Sequence, residues 1–111
     1  MLLKAVLTNH HDLIADYTKL IEANPNDSDI YVKRGLAKLH RNDCNSAIID
    51  FKKAIQLKLN FAEAYYYRSF AKGYTADLNG SLADLNKVLE IQPGNRLAQD
   101  ELVKVKKLMA K

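Results

Sequence analysis

The chain has 111 residues, 48% apolar and 27% charged, with a net charge of +4 and a pI near 9.2. That length supports one core rather than two, and that composition excludes a disordered or fibrous chain. No apolar run approaches the roughly 20 residues that span a bilayer, and the opening MLLKAVLTNHH turns polar too early for a secretory signal.

Taken in chain order, residues 1–27 read as the end of a first helix bearing Leu2, Leu3, Val6 and Leu7. A turn with His10 and His11 comes next, and then a second helix capped by Asp12 that includes Tyr17 and closes before Pro25. A helix is predicted over 28–41. Asp27 or Ser28 can cap it, and Ile30, Tyr31, Leu36, Ala37 and Leu39 are spread too widely for a strand. RNDCN at 41–45 breaks that helix, with Asn42 tolerating a left-handed backbone. Ala47, Ile48, Phe51, Ala54 and Ile55 then form a buried stripe at helical spacing. AEAYYYRSFAKGY at 62–74 is the next helix, and ADLNGS and IQPGN punctuate the chain beyond it. Over 96–110, Ala98, Leu102, Val105 and Met109 form one apolar seam. No segment alternates with period two, so an all-α fold without a sheet is predicted.

A period of 34 runs through these elements. It pairs Tyr31 with Tyr65, Arg34 with Arg68, Ala37 with Ala71, Asp43 with Asp77, Asn45 with Asn79 and Asp50 with Asp84; stepping backwards it joins Tyr17 to Phe51 and Ile21 to Ile55. In both complete units an Arg precedes an Asp by sixteen residues, which predicts an interhelical ion pair. Applied to Asp16, the rule places the partner at residue zero. The expectation is therefore an array that begins midway through a first helix, either as a fragment of a longer protein or with its end covered by another molecule.

A 34-residue helix–turn–helix unit with these markers resembles the tetratricopeptide (TPR) repeat. Residues 28–61 match through Tyr31, Gly35, Ala47, Phe51 and Ala54, with Leu59 where Pro is usual. Residues 62–95 match through Tyr65, Ser81, Leu85, Val88 and Pro93, with Ser69 in place of Gly. The resemblance implies one domain over 1–111. It would be an α-solenoid of antiparallel helix hairpins with about seven helices: a partial repeat at 1–27, repeats at 28–61 and 62–95, and a capping helix at 96–111.

The resemblance also implies that the first helix of each hairpin lines a concave surface, with Tyr65 packed inside its own unit as Tyr31 is. Tyr66 and Tyr67 then fall on the neighbouring arc, where Phe70 and Tyr74 continue the stripe. One unit earlier the equivalent positions hold Val32, Lys33, Leu36 and His40. The expected site is an apolar, tyrosine-rich groove for a peptide or partner helix: Tyr66, Tyr67, Phe70 and Tyr74 form its floor, Val32, Leu36 and His40 extend it, and Lys33 is available to an acidic group. A self-associating scaffold piece, joined through the truncated first helix or the groove, is the alternative.

Some TPR co-chaperones hold a chaperone's terminal carboxylate with Lys, Asn and Arg at set groove positions. One register places Val32, Leu36, Tyr67, Leu97 and Glu101 there, and the other Leu2, Lys33, Glu63 and Tyr67. Neither supplies that clamp, so an apolar or helical peptide is the expected ligand, and a co-chaperone-type TPR lacking the carboxylate clamp is a further alternative.

An enzyme is not expected. Gly35, Gly73, Gly80 and Gly94 are scattered rather than gathered in a phosphate loop, and no nucleophile elbow or paired carboxylates occur. His10 and His11 with Asp12 lack further ligands at metal spacing, and His40 with Cys44 straddles a helix end, so neither a metal nor another cofactor is expected. Nucleic acid is not the expected partner: the basic Lys104, Lys106, Lys107 and Lys111 lie on the last helix, away from the tyrosines. No small-molecule substrate is implied. The single Cys44 cannot form an internal disulfide, which points to a reducing, cytoplasmic setting.

Overall fold

A computed structural model describes residues 9–111, with side chains from Leu13 onward. Six helices succeed one another: α1 (Asn9–Ala23), α2 (Ser28–His40), α3 (Cys44–Leu57), α4 (Ala62–Tyr74), α5 (Leu78–Ile91) and α6 (Arg96–Met109). There is no strand among the described residues. The count is one short of the seven expected, because the truncated first helix with Leu2, Leu3, Val6 and Leu7 lies outside the described residues. The backbone at 10–12 is already helical, so His10 and His11 lie within α1 rather than in a turn, and Asp12 does not stand before the helix as its cap. Among the described residues no helix is long and apolar enough to cross a membrane.

The helix starts repeat a single chemical device. Asp27, Asp43, Asp77 and Asn95 each sit just before a helix and accept a backbone N–H from its first turn: Asp29 N at 3.1 Å, Ser46 N at 3.4 Å, Gly80 N at 2.9 Å and Ala98 N at 3.0 Å. The turns after α2 and α4 also match. Asn42 and Ala76, one period apart, both adopt a left-handed backbone, with φ of 63° and 66°. Asn tolerates that conformation, whereas Ala adopts it against its own steric preference.

Each helix packs on its chain neighbours, and α2 also touches α4, giving a body of 47 × 30 × 23 Å. Small residues allow the close approach. Ala47, Ala54 and Ala64 are fully buried around Phe51 in one cluster, and Ala98 lies with Leu85 and Val88 in the next. Gly35 is required where it stands: a Cβ there would lie 2.6 Å from Phe51 Cε1. One period on, the facing position is Leu85 instead of Phe51, and Ser69 fits in place of glycine, its hydroxyl donating to the Tyr66 carbonyl.

Between the paired helices both expected ion pairs form. Asp50 and Asp84 are 1% and 3% exposed. Arg34 grips Asp50 through Nε and Nη2 at 2.9 and 2.7 Å, and Arg68 grips Asp84 with the same two distances. A second cation joins each carboxylate: Lys38 at 3.0 Å and Lys72 at 3.3 Å. Hydrogen bonding to the aspartates holds both guanidinium pKa values above the ordinary one, against the opposing effect of burial. Arg34 also donates to Thr18 Oγ1 at 3.2 Å, tying α1 to the first pair.

Asp50→Ala leaves Arg34 and Lys38 without their buried counter-charge, and a loss of about 3–5 kcal/mol is expected in urea unfolding followed by circular dichroism. Ala76→Gly removes the steric cost of the left-handed backbone. It is expected to add about 1 kcal/mol, read as a rise of roughly 4 °C in melting temperature.

Candidate functional site

An open cleft of about 780 Å³ lies between α2 and α4. Leu36, Leu39 and His40 line it from α2, and Tyr67, Phe70 and Tyr74 from α4. Asn42, in its left-handed turn, and Cys44, the half-buried first residue of α3, close the end where the loop returns. Among the described residues, no Asp, Glu, Lys or Arg lines this cleft. Its walls are apolar and aromatic, with phenol, imidazole, amide and thiol groups as polar tips.

The rings hold one another in place. Tyr67 stacks on the buried Phe51 with centroids 6.2 Å apart. Tyr66 meets Phe70 edge-on at 4.8 Å and Tyr67 at 5.6 Å. Edge-to-face pairs at these separations fix ring orientation without filling the cleft. Tyr65 turns away from it, packing on the cluster around Leu85 with Arg68 5.4 Å from its ring centre, much as Arg34 lies over Tyr31.

Of the eight residues expected to form the site, five line the cleft: Leu36, His40, Tyr67, Phe70 and Tyr74. Lys33 is exposed on α2 but outside the cleft lining. Val32 has to be withdrawn as a ligand contact, because at 2% exposure it is packed in the core with Tyr31, Phe51 and Ala64. One helical step past the concave face, position 32 looks at the helix of the next hairpin rather than at the hollow. Tyr66, its equivalent one period later, is half-buried against the cluster formed with α6. Burial pushes the Tyr66 phenol above its ordinary pKa, and Glu101, Tyr67 and Asp100 add to the shift.

A second cavity of about 320 Å³ continues the hollow between α4, α5 and α6. Phe70 and Tyr74 line both cavities and so form a ridge between them. The α6 contributors are Glu101, Lys104, Val105 and Leu108. Glu101, Lys104 and Leu108 stand 34 residues after Tyr67, Phe70 and Tyr74; the sequence reading reaches Glu101 only as a clamp position that lacks the clamp residue, and Lys104 and Leu108 escape it as lining residues although the period marks them. Treating α6 only as a cap hides that it is built as another first helix.

Stacked hairpins of this length, presenting one helix of each pair to a common hollow, define a helical-repeat protein. No family model matches the chain, and no curated protein matches it. Solved structures do. The first TPR of Spaghetti (RPAP3), bound to the HSP90 peptide SRMEEVD, is 27% identical, with a TM-score of 0.92 over 97% of this chain and 86% of that one. The second TPR domain of human RPAP3, in complex with the HSP70 peptide SGPTIEEVD, is 31% identical, with a TM-score of 0.81 over 84% of this chain and 78% of that one. The TPR2B domain of yeast Sti1, in a pHsp70 complex, shares the fold at 23% identity and a TM-score of 0.84, over 93% of this chain and 87% of that one. The chain belongs to the tetratricopeptide repeat family.

If Tyr74 is wall and Val32 is core, truncation separates them. Val32→Ala is expected to cost about 2 kcal/mol. Tyr74→Ala, at a residue 74% exposed, is expected to change stability by under about 0.5 kcal/mol in the same urea titration.

Proposed function

We propose that this chain is a non-catalytic interaction module, one TPR-like domain with repeats at 28–61 and 62–95, that holds a peptide or partner helix in the concave cleft between α2 and α4. The observation that carries the reading is the open, uncharged cleft of about 780 Å³ with Tyr67, Phe70 and Tyr74 along one wall. Tyrosine and phenylalanine offer large contact area for few rotatable bonds, which suits an anchor pocket that stands in water until it is filled. The RPAP3 domains that this chain resembles hold HSP90 and HSP70 peptides, which supports peptide binding as the class of activity.

The particular ligand differs. In the register that starts one unit early, the clamp positions hold Leu2, Lys33, Glu63 and Tyr67. A peptide ending in a free carboxylate would meet Glu63 and find no arginine there. The ligand is therefore an apolar or amphipathic segment, with anchors for the Leu36–Phe70 wall. The single cysteine fits a reducing setting such as the cytoplasm.

The test is selection from a random-peptide display library on the full chain, followed by titration of the recovered peptides. Tyr74→Ala is expected to weaken them about tenfold or more, the loss of a hot-spot contact, with the helical circular dichroism unchanged. Light scattering over a concentration series is expected to show a monomer. Recovered peptides that bind Tyr74→Ala as well as the native chain, or a dimer that buries the cleft, would refute the reading.

A further inference from the structure

The two cavities on either side of the Phe70–Tyr74 ridge differ in charge. Among the described residues the first has no ionised lining, whereas the second carries Glu101 and Lys104. We infer that the second cavity receives a lysine or arginine side chain of the peptide held in the groove, its hydrocarbon stem against Phe70, Val105 and Leu108 and its cation on the Glu101 carboxylate. This rests on the peptide-binding groove proposed for α2 and α4 and adds to it the chemical class of one ligand residue.

Shape is the first argument. The buried Ser69 and Ser81, with Gly73, give the cavity a floor of small residues, so α4, α5 and α6 leave about 320 Å³ between them. The walls are apolar, and the hydroxyl oxygens can accept hydrogen bonds. A long side chain with a methylene stem and a cationic head matches that division, burying the stem while the head keeps polar partners.

Charge is the second. Glu101 is held in the wall with its side chain 23% exposed, while Lys104, which meets it at 3.2 Å, is 69% exposed. An exposed pair three residues apart on one helix contributes little, so an incoming cation can replace Lys104 at the carboxylate. Asp100 adjoins Glu101, and both raise the pKa of the Tyr66 phenol, so the negative field reaches the aromatic wall. Of the cations on α6, Lys104 lines the cavity, and Arg96, Lys106 and Lys107 do not. An acidic ligand residue in this cavity would face Glu101 and meet only Lys104, which is largely exposed and already paired with Glu101.

The experiment uses the display selection on the full chain, with one recovered peptide then synthesised in Lys, Met and Glu forms at the position of interest. Recovered sequences are expected to be enriched in Lys or Arg beside apolar anchors. Lys→Met in the peptide is expected to weaken binding about tenfold and Lys→Glu further still. On Glu101→Gln protein the Lys and Met forms should bind alike, since the double-mutant cycle isolates that one contact. Peptides sensitive to Tyr74→Ala but without basic enrichment, or a Lys-over-Met preference that survives in Glu101→Gln, would overturn the inference and leave the groove standing. Peptides insensitive to Tyr74→Ala would overturn both.

Discussion

Two buried carboxylates, Asp50 and Asp84, set the geometry on which everything else in this molecule rests. The alanine-rich seams between helices allow close packing, but they are smooth and specify neither rotation nor translation. A guanidinium fork does specify them. With two short bonds to each aspartate and a lysine one turn further on, the triads accept one relative placement of α2 on α3 and of α4 on α5. Burying charge carries a desolvation cost that the pairing offsets without a large surplus, so the triads matter for register more than for net stability.

That register decides what reaches the hollow. With α2 and α4 held against their partners, the face that remains carries Leu36 and His40 on one helix and Tyr67, Phe70 and Tyr74 on the other. A cleft survives between them because the rings brace one another edge-on and Tyr67 is seated on Phe51. The hollow then continues to α6, where the lining changes from neutral to charged. One ridge of two aromatic residues thus separates two cavities with different linings.

The fold is legible because its cause is local and repeated. The 34-residue period, the capping aspartates and the Arg–Asp spacing are all visible as letters, and each reports a contact within one hairpin. The site is legible only in part. Placing residues on a helix arc requires knowing which flank the next helix covers, and this depends on the tilt between hairpins; hence Val32 reads as groove from its spacing although it is core. Lys104 and Leu108 escape for a different reason: α6 lacks the tyrosine and arginine that mark a first helix, with Gln99 and Leu102 in their places, although its concave face keeps the period. The left-handed Asn42 is foreseeable from its residue type. Its counterpart Ala76 is not, because there the turn is imposed by the surrounding hairpin rather than favoured by the side chain.

The central claim is that the aromatic wall stands open to water in the free chain. Light-induced nuclear polarisation of tyrosine side chains measures that directly, since only rings reached by a dissolved dye respond. An open wall predicts a strong signal from Tyr74, a weaker one from Tyr67 and none from Tyr31, all independent of protein concentration. A silent Tyr74, or a signal that fades as concentration rises, would mean that the wall is covered by the chain itself or by a second copy, and would contradict the claim.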